Sequence, residues 1–150
     1  MKVAIGSDHA GFELKEELKV FLEKKAVTLT DVGTYSLDSV DYPVYAEKVA
    51  QRVAEGFCDF GILICGSGLG MAVAANKLPG IRAVTCLDAY SAKLSREHND
   101  ANVLTLGSRL IDYNHAKEIA ELWLNTKFLG GRHTRRVQEI ADLEKKYLKK

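Results

Sequence analysis

The sequence predicts an α/β protein with three layers, in which helices cover both faces of a five-stranded parallel sheet. Two observations predict this fold class. Short apolar runs rich in β-branched and aliphatic residues alternate along the chain with amphipathic segments of helical period. Strands that alternate with helices are joined by right-handed crossovers, which makes the strands parallel and buries both faces of the sheet. The expected architecture is therefore a Rossmann-like α/β/α domain.

Each element is marked by its own pattern. Aliphatic and β-branched runs predict five strands: Val3–Gly6, Val27–Val32, Phe60–Cys65, Arg82–Cys86 and Val103–Leu106. Apolar residues at helical spacing mark the first helix at Phe12, Leu14, Leu18, Phe21 and Leu22, the second at Tyr45, Val49 and Val53, and the last of the alternating pattern at Ile119, Leu122, Trp123 and Phe128. In such sheets ligands bind beyond the carboxyl ends of the strands, where Asp8, Cys65 and Asp88 are expected.

The tail after Gly130–Gly131 leaves this alternation and is predicted to form a charged C-terminal helix over residues 132–149. Apolar residues form a stripe along it: Val137, Ile140, Leu143 and Tyr147. Basic and imidazole side chains crowd its start: Arg132, His133, Arg135 and Arg136. Because cations oppose the dipole at a helix N-terminus, this cluster indicates either a solvated helix end or a group that binds a phosphate.

Composition limits the function and the compartment. A chain of 150 residues is expected to form a single domain over residues 1–150, and a formal net charge of +1 argues against a dedicated nucleic-acid or membrane-binding surface. There is no signal-peptide pattern and no apolar run of membrane-spanning length. Three cysteines without a C-x-x-C pair argue against disulfides and structural zinc and favour a reducing cytoplasm. No metal-ligand spacing is present, so no metal is expected.

The segment that follows the third predicted strand is the place where chemistry is expected. The apolar run ends at Cys65 and breaks into Gly66-Ser67-Gly68-Leu69-Gly70, after which helix-forming residues resume at Met71. The free N–H groups at a helix start bind anions and favour the thiolate form of a nearby cysteine. A base beside an anion-stabilising loop is the arrangement needed to form and hold an enediolate.

The loop after the first strand allows two interpretations. It reads Gly6-Ser7-Asp8-His9-Ala10-Gly11-Phe12 and is not a Walker A loop, because no Lys-Ser/Thr pair follows its second glycine. Asp8 is either a helix N-cap or a functional carboxylate. Capping would explain Asp8 but gives no role to His9.

Other candidate residues are weighed in the same way. The G-x-G-x-G turn leaves open a dinucleotide site in which Asp88, about 20 residues on, would bind a ribose. His98 lies in a polar segment predicted to follow a helix, which suits an oriented imidazole. Cys58 and Cys86 are assigned to packing, and His115 to an exposed helix position.

These motifs, in this order and spacing, resemble the RpiB/LacAB sugar-phosphate isomerase family over nearly the whole chain. The motifs are Ser7-Asp8-His9-Ala10-Gly11, Asp41-Tyr42-Pro43, Cys65-Gly66-Ser67-Gly68-Leu69-Gly70, Ala74-Ala75-Asn76-Lys77, Ser95-Arg96-Glu97-His98-Asn99-Asp100, Gly107-Ser108-Arg109 and Gly130-Gly131-Arg132-His133 with Arg136. Cys65 is typical of the branch that uses a thiol base, whereas another branch uses a glutamate. Ser67 stands where many relatives carry threonine, and either residue keeps a hydroxyl.

The resemblance implies an aldose–ketose isomerase of the non-oxidative pentose phosphate pathway, which interconverts D-ribose 5-phosphate and D-ribulose 5-phosphate through an enediolate without cofactor or metal. Cys65 would be the base, Ser67 and the turn's N–H groups would hold the enediolate oxygens, His98 would open the ring, and Asp8 would handle a hydroxyl proton. The substrate-binding residues would be His9, Arg109, Arg132 and Arg136 on the phosphate, Tyr42, Asn99 and His133 along the sugar, and Gly66, Gly68 and Gly70 in the turn.

The resemblance also implies a homodimer, able to pair into a tetramer, whose active sites are shared between subunits. The His98 loop and the C-terminal helix would reach the Cys65 loop of the neighbour. The alternative function is a hexose-phosphate isomerase of the same family, acting on allose 6-phosphate or galactose 6-phosphate, although the two histidine motifs favour the pentose enzyme. A remote alternative is a non-catalytic nucleotide-binding module, which would leave Cys65 and His98 without a role.

Overall fold

Five strands and six helices alternate along the chain in a computed structural model that describes residues 1–148. The strands are β1 Lys2–Ser7, β2 Thr28–Asp31, β3 Phe60–Cys65, β4 Ala83–Thr85 and β5 Val103–Gly107. The helices are α1 Phe12–Glu23, α2 Tyr42–Ala54, α3 Leu69–Ala75, α4 Ala89–Asn99, α5 Tyr113–Asn125 and α6 Arg132–Tyr147. All strand pairs are parallel, in the order β2-β1-β3-β5-β4, so the predicted five-stranded parallel α/β fold is confirmed.

The sheet has an apolar core on each face, as the alternation of strand side chains requires. Val3 and Ile5 of β1 face one core, where they join apolar residues of α1, α4 and α5. Ala4 faces the other core, which is filled from α2 and α3. The largest buried side chain is Trp123 of α5, which contacts Phe60 edge to face at 5.3 Å between ring centroids. The three-layer arrangement is thus built from residues at the predicted spacings.

Several predicted boundaries were wrong. Strand β4 has only three residues, Ala83–Thr85. Phe128 lies beyond α5, because the backbone becomes extended at Thr126, the residue that caps this helix. His98 lies inside the last turn of α4 rather than after the helix, which ends at Asn99 and is capped by Asp100 with a left-handed φ of 46°. The C-terminal helix ends at Tyr147 and not at residue 149, which lies outside the described residues.

Helix α6 differs from the others because no residue within Arg132–Tyr147 is buried. The exposed fractions of Ile140, Leu143 and Tyr147 are 45%, 56% and 68%, so these residues of the predicted apolar stripe stay largely accessible, although they line an open groove beside β4. The helix contacts its own chain through the Gly80 N–H, which donates to Glu144 Oε1 at 2.8 Å. The part of the chain described here has no helix long and apolar enough to cross a membrane.

All three cysteines are free and buried. Burial raises the pKa of the Cys86 thiol, as expected for a cysteine that serves only in packing. A reducing compartment stays a prediction that follows from cysteine usage.

Candidate active site

A cleft of about 560 Å³ opens at the carboxyl ends of β1, β3 and β5. Eight of the predicted site residues line it: Asp8, His9, Tyr42, Cys65, Gly66, Ser67, Gly70 and Arg109. Two further residues, Ala10 and Leu110, complete the lining and had no signal of their own in the sequence. The strand-end rule therefore placed Asp8 and Cys65 at one cleft, whereas Asp88, expected from the same rule, does not line it.

Cys65 ends β3 and is 5% exposed, with its side chain at the cleft. The Gly68 N–H donates to its Sγ at 3.1 Å, and the Leu69 N–H donates to Ser67 Oγ at 3.2 Å. Gly68 has a φ of 78°, and a Cβ there would lie 2.9 Å from the Leu106 backbone. Glycine is therefore required at this position for the turn to close beneath the thiol.

The loop after β1 brings Asp8 and His9 to the same cleft. Asp8 Oδ1 accepts the Gly11 N–H at 3.1 Å, so Asp8 does stabilise the turn before α1, and it also lines the cleft. His9 Nδ1 accepts the Val40 N–H at 3.1 Å. When the ring is neutral, this bond places the remaining proton on Nε2, which makes that nitrogen a donor. The sequence could not reveal Val40, because only its backbone takes part.

Two long side chains cover the glycines of the turn. A Cβ on Gly66 would lie 2.9 Å from Nη1 of Arg109, and a Cβ on Gly70 would lie 2.7 Å from the ring of Tyr42. The absence of side chains thus lets a guanidinium and a phenol lie directly on the backbone. The cleft combines a thiol, a carboxylate and a cation, which suits an anionic substrate.

The remaining predicted site residues form a second group. His98 and His133 stack with ring centroids 4.2 Å apart and an interplanar angle of 12°. Desolvation lowers the pKa of His133, and the nearby His98, Arg132 and Arg136 lower it further. Asn99 lies beside this group, in a groove between α4 and α6. The accumulated positive charge is arranged to bind an anion.

The two groups lie at opposite ends of the sheet. Cys65 is at the carboxyl end of β3, whereas α4 starts beyond the carboxyl end of β4 and returns to the amino end before β5 begins at Val103. His98, in the last turn of α4, is therefore at the amino end. Since β3 has six residues, the two ends are about 20 Å apart. A single chain does not bring the histidine pair to the thiol.

Two other expectations are decided by geometry. Asp88 caps α4, accepting the Ser91 N–H at 2.7 Å. Its carboxylate is engaged at the start of that helix and does not line the cleft that holds the glycine turn, so the dinucleotide interpretation loses its ribose-binding carboxylate. His115 is exposed on α5, as predicted. Among residues 1–148, no three His, Cys, Asp or Glu side chains are grouped to hold a metal ion.

Comparison with known proteins gives consistent matches over the whole fold. A family model described as Ribose/Galactose Isomerase matches residues 3–140. Ribose-5-phosphate isomerase B of Escherichia coli (strain K12) is 50% identical over 145 residues, which cover 97% of each protein. D-erythrulose-4-phosphate isomerase of Pectobacterium atrosepticum is 40% identical over 148 residues, covering 96% of this chain and 95% of that protein.

Solved structures agree with these relatives. Clostridium thermocellum ribose-5-phosphate isomerase B is 52% identical, with a TM-score of 0.97 over 98% of this chain and 99% of that one. Mycoplasma genitalium ribose-5-phosphate isomerase B, solved with bound ribulose-5-phosphate, is 39% identical, with a TM-score of 0.93 over 96% of each chain.

Proposed function

Because the chain belongs to the ribose/galactose isomerase family, we propose that it interconverts D-ribose 5-phosphate and D-ribulose 5-phosphate through an enediolate, without cofactor or metal. The observation that carries the proposal is the contact of the Gly68 N–H with Cys65 Sγ in a cleft that also holds Asp8 and Arg109. The near-full-length similarity to ribose-5-phosphate isomerases B supports the pentose substrate.

The proton transfers are assigned to two side chains. The Cys65 thiolate removes the C2 proton of the open aldose, the released electron pair forms the C1–C2 double bond, and O1 becomes anionic. Ser67 and the N–H groups of the turn stabilise the enediolate oxygens. Asp8 carries the O2 hydroxyl proton to O1, and the thiol then returns its proton to C1, which gives the ketose and regenerates the thiolate.

The other residues bind the sugar phosphate and open its ring. We assign ring opening to His98, and the expected binding residues form one set: His9, Arg109, Arg132 and Arg136 on the phosphate, with Tyr42, Asn99 and His133 along the sugar. His9 is suited to its part, because Val40 leaves its Nε2 as the donor. Arg109 lies on the Gly66 backbone, beside the proposed base.

A complete site on this assignment needs two subunits. His98 lies at the opposite end of the sheet from Cys65, and the apolar stripe of α6 is exposed. We therefore propose a homodimer, able to pair into a tetramer, in which α6 and the end of α4 reach the partner's cleft. Covering the stripe would supply the apolar contact that the isolated chain lacks. We also propose that this single catalytic domain works in the cytoplasm.

The test is an isomerase assay across pentose and hexose phosphates. Ribose 5-phosphate should be converted with the highest kcat/KM, and a preference for allose 6-phosphate or galactose 6-phosphate would replace the pentose assignment. Cys65→Ala should lose about 10²–10⁴-fold in kcat. Cys58→Ala is the matched control, since that buried thiol lies outside the cleft and its loss should leave kcat unchanged. A Cys65→Ala enzyme with more than about a tenth of the wild-type kcat would exclude the thiol as the base.

A further inference from the structure

Two threonine hydroxyls form a pair beneath the glycine turn. Thr85 ends β4 and is the register partner of Thr105 in β5, and their Oγ1 atoms are 2.7 Å apart. Thr105 is fully buried, and its register partner on the other side is Leu63 in β3. A hydroxyl in such an apolar layer costs free energy unless it is hydrogen-bonded, and valine would fill nearly the same space. The pair therefore requires an explanation beyond packing.

The direction of the hydrogen bonds follows from the number of hydrogens. Thr85 Oγ1 donates to the Gly68 carbonyl at 3.3 Å. Since a hydroxyl has one hydrogen, the hydrogen between the two side chains belongs to Thr105. The result is a chain of donors that runs from Thr105 to Thr85 and ends on the Gly68 carbonyl.

Gly68 is the residue through which this chain acts. Its carbonyl accepts from Thr85 and from the Ala72 N–H, at 3.1 Å, while its own N–H donates to Cys65 Sγ. Two donors on the carbonyl restrict rotation about the Gly68 backbone, which has no side chain to restrict it. This restraint also limits the orientation of the Gly68 N–H, which faces Cys65 Sγ.

We propose that Thr85 and Thr105 are positioning residues that hold the Gly68 N–H on Cys65 Sγ and so favour its thiolate. The role in catalysis rests on the proposed function, in which Cys65 is the base, but the effect on the thiol does not. Neither threonine lines the cleft, and the pair reaches the turn through the hydrogen bond of Thr85 to the Gly68 carbonyl, so both act through Gly68.

The experiment measures thiol reactivity and catalysis separately in the full-length protein. Iodoacetamide is neutral, so its reaction with Cys65 reports the thiolate without interference from phosphate-binding charges, and peptide mass spectrometry assigns the alkylated cysteine. Thr85→Val should slow alkylation at pH 7 several-fold and move the alkylation profile to higher pH. It should lower kcat for ribose 5-phosphate about tenfold with little change in KM. Thr85→Ser keeps the hydroxyl and should restore both.

Thr105→Val should lower the alkylation rate and kcat in the same direction but by less. It is the variant to measure if Thr85→Val does not fold. Thr30→Val, in β2 and away from the turn, is the control and should change neither quantity. An alkylation profile in the valine variants that matches the wild type would overturn the proposal, whatever happens to kcat. If alkylation shifts as expected but even the wild type fails to isomerise ribose 5-phosphate, the positioning role stands and the proposed function fails.

Discussion

Assayed at ribose 5-phosphate well below the wild-type KM, a dimer made of one Cys65→Ala chain and one Arg136→Ala chain should be far more active than a dimer of either variant alone. If each site takes its thiol from one subunit and its arginine from the other, one site of the mixed dimer collects both substitutions and the second site has neither. If both residues served the same site within one chain, each site would carry one substitution and the mixed dimer would stay inactive.

The prediction depends on the distance between the end of α4 and Cys65 within one chain. Helix α4 has eleven residues and is therefore about 16 Å long, so its last turn lies about that far from the sheet edge that carries Cys65. His98 stacks on His133 there, and Arg136 lies one helical turn further along α6. Reacting groups must approach to about 3–3.5 Å, which one chain cannot achieve across the sheet.

The assay uses two affinity tags, one on each variant, so that mixed dimers can be purified after co-refolding. Random reassembly of equal amounts makes about half of the dimers mixed, which gives about a quarter of the wild-type rate, and purified mixed dimers should reach about half. Pairing Cys65→Ala with Arg135→Ala is the control for the arginine. Arg135 faces solvent near Glu139, so its variant should be active by itself. Mixed dimers that are confirmed by mass spectrometry but inactive would refute the shared site.

Three further predictions concern the basic cluster of α6, the buried lysine pair and the metal requirement. Arg136→Ala should raise KM for ribose 5-phosphate at least about tenfold and weaken inhibition by inorganic phosphate, whereas Arg135→Ala should do neither. If Arg136→Ala has the same kinetics as the wild type, the basic cluster is only a solvated helix end. Asp31→Asn should lower the free energy of unfolding in urea by about 3 kcal/mol, because fully buried Lys15 loses its carboxylate partner at 2.7 Å and keeps only the more exposed Glu16. Glu121→Gln breaks only an exposed pair and should cost under about 1 kcal/mol. Burial opposes ionisation of Asp31, but hydrogen bonds from Lys15 and Lys19 hold its pKa below the ordinary value. The wild type should therefore lose this stability as the pH falls below about 4. A difference in unfolding free energy between the wild type and Asp31→Asn that does not change with pH would contradict the assignment. Dialysis against EDTA should leave activity unchanged, since no metal-ligand spacing occurs in the sequence; loss reversed by a divalent ion would reveal a metal site.

Local patterns were sufficient for the elements and for much of the cleft. The run that ends at Cys65 and the following glycines identify a strand, a turn and a helix start, because these depend on neighbours within a few residues. The strand-end rule then places Asp8 and Cys65 together, since parallel strands end at one edge. Boundaries were less certain: Phe128 has the right spacing for α5, but the backbone becomes extended at Thr126.

The sequence by itself determined the fold class, the five strands and the chemistry-bearing side chains, because residue type and short-range spacing are sufficient for these. The tertiary structure decided which of those side chains meet. Asp88 caps α4 and does not line the cleft at the glycine turn, and the return of α4 to the amino end of the sheet separates His98 from Cys65. It also revealed the Thr85–Thr105 pair, whose members are 20 residues apart in sequence. Contacts of this kind depend on the path of the chain between distant segments, about which local periodicity carries no information.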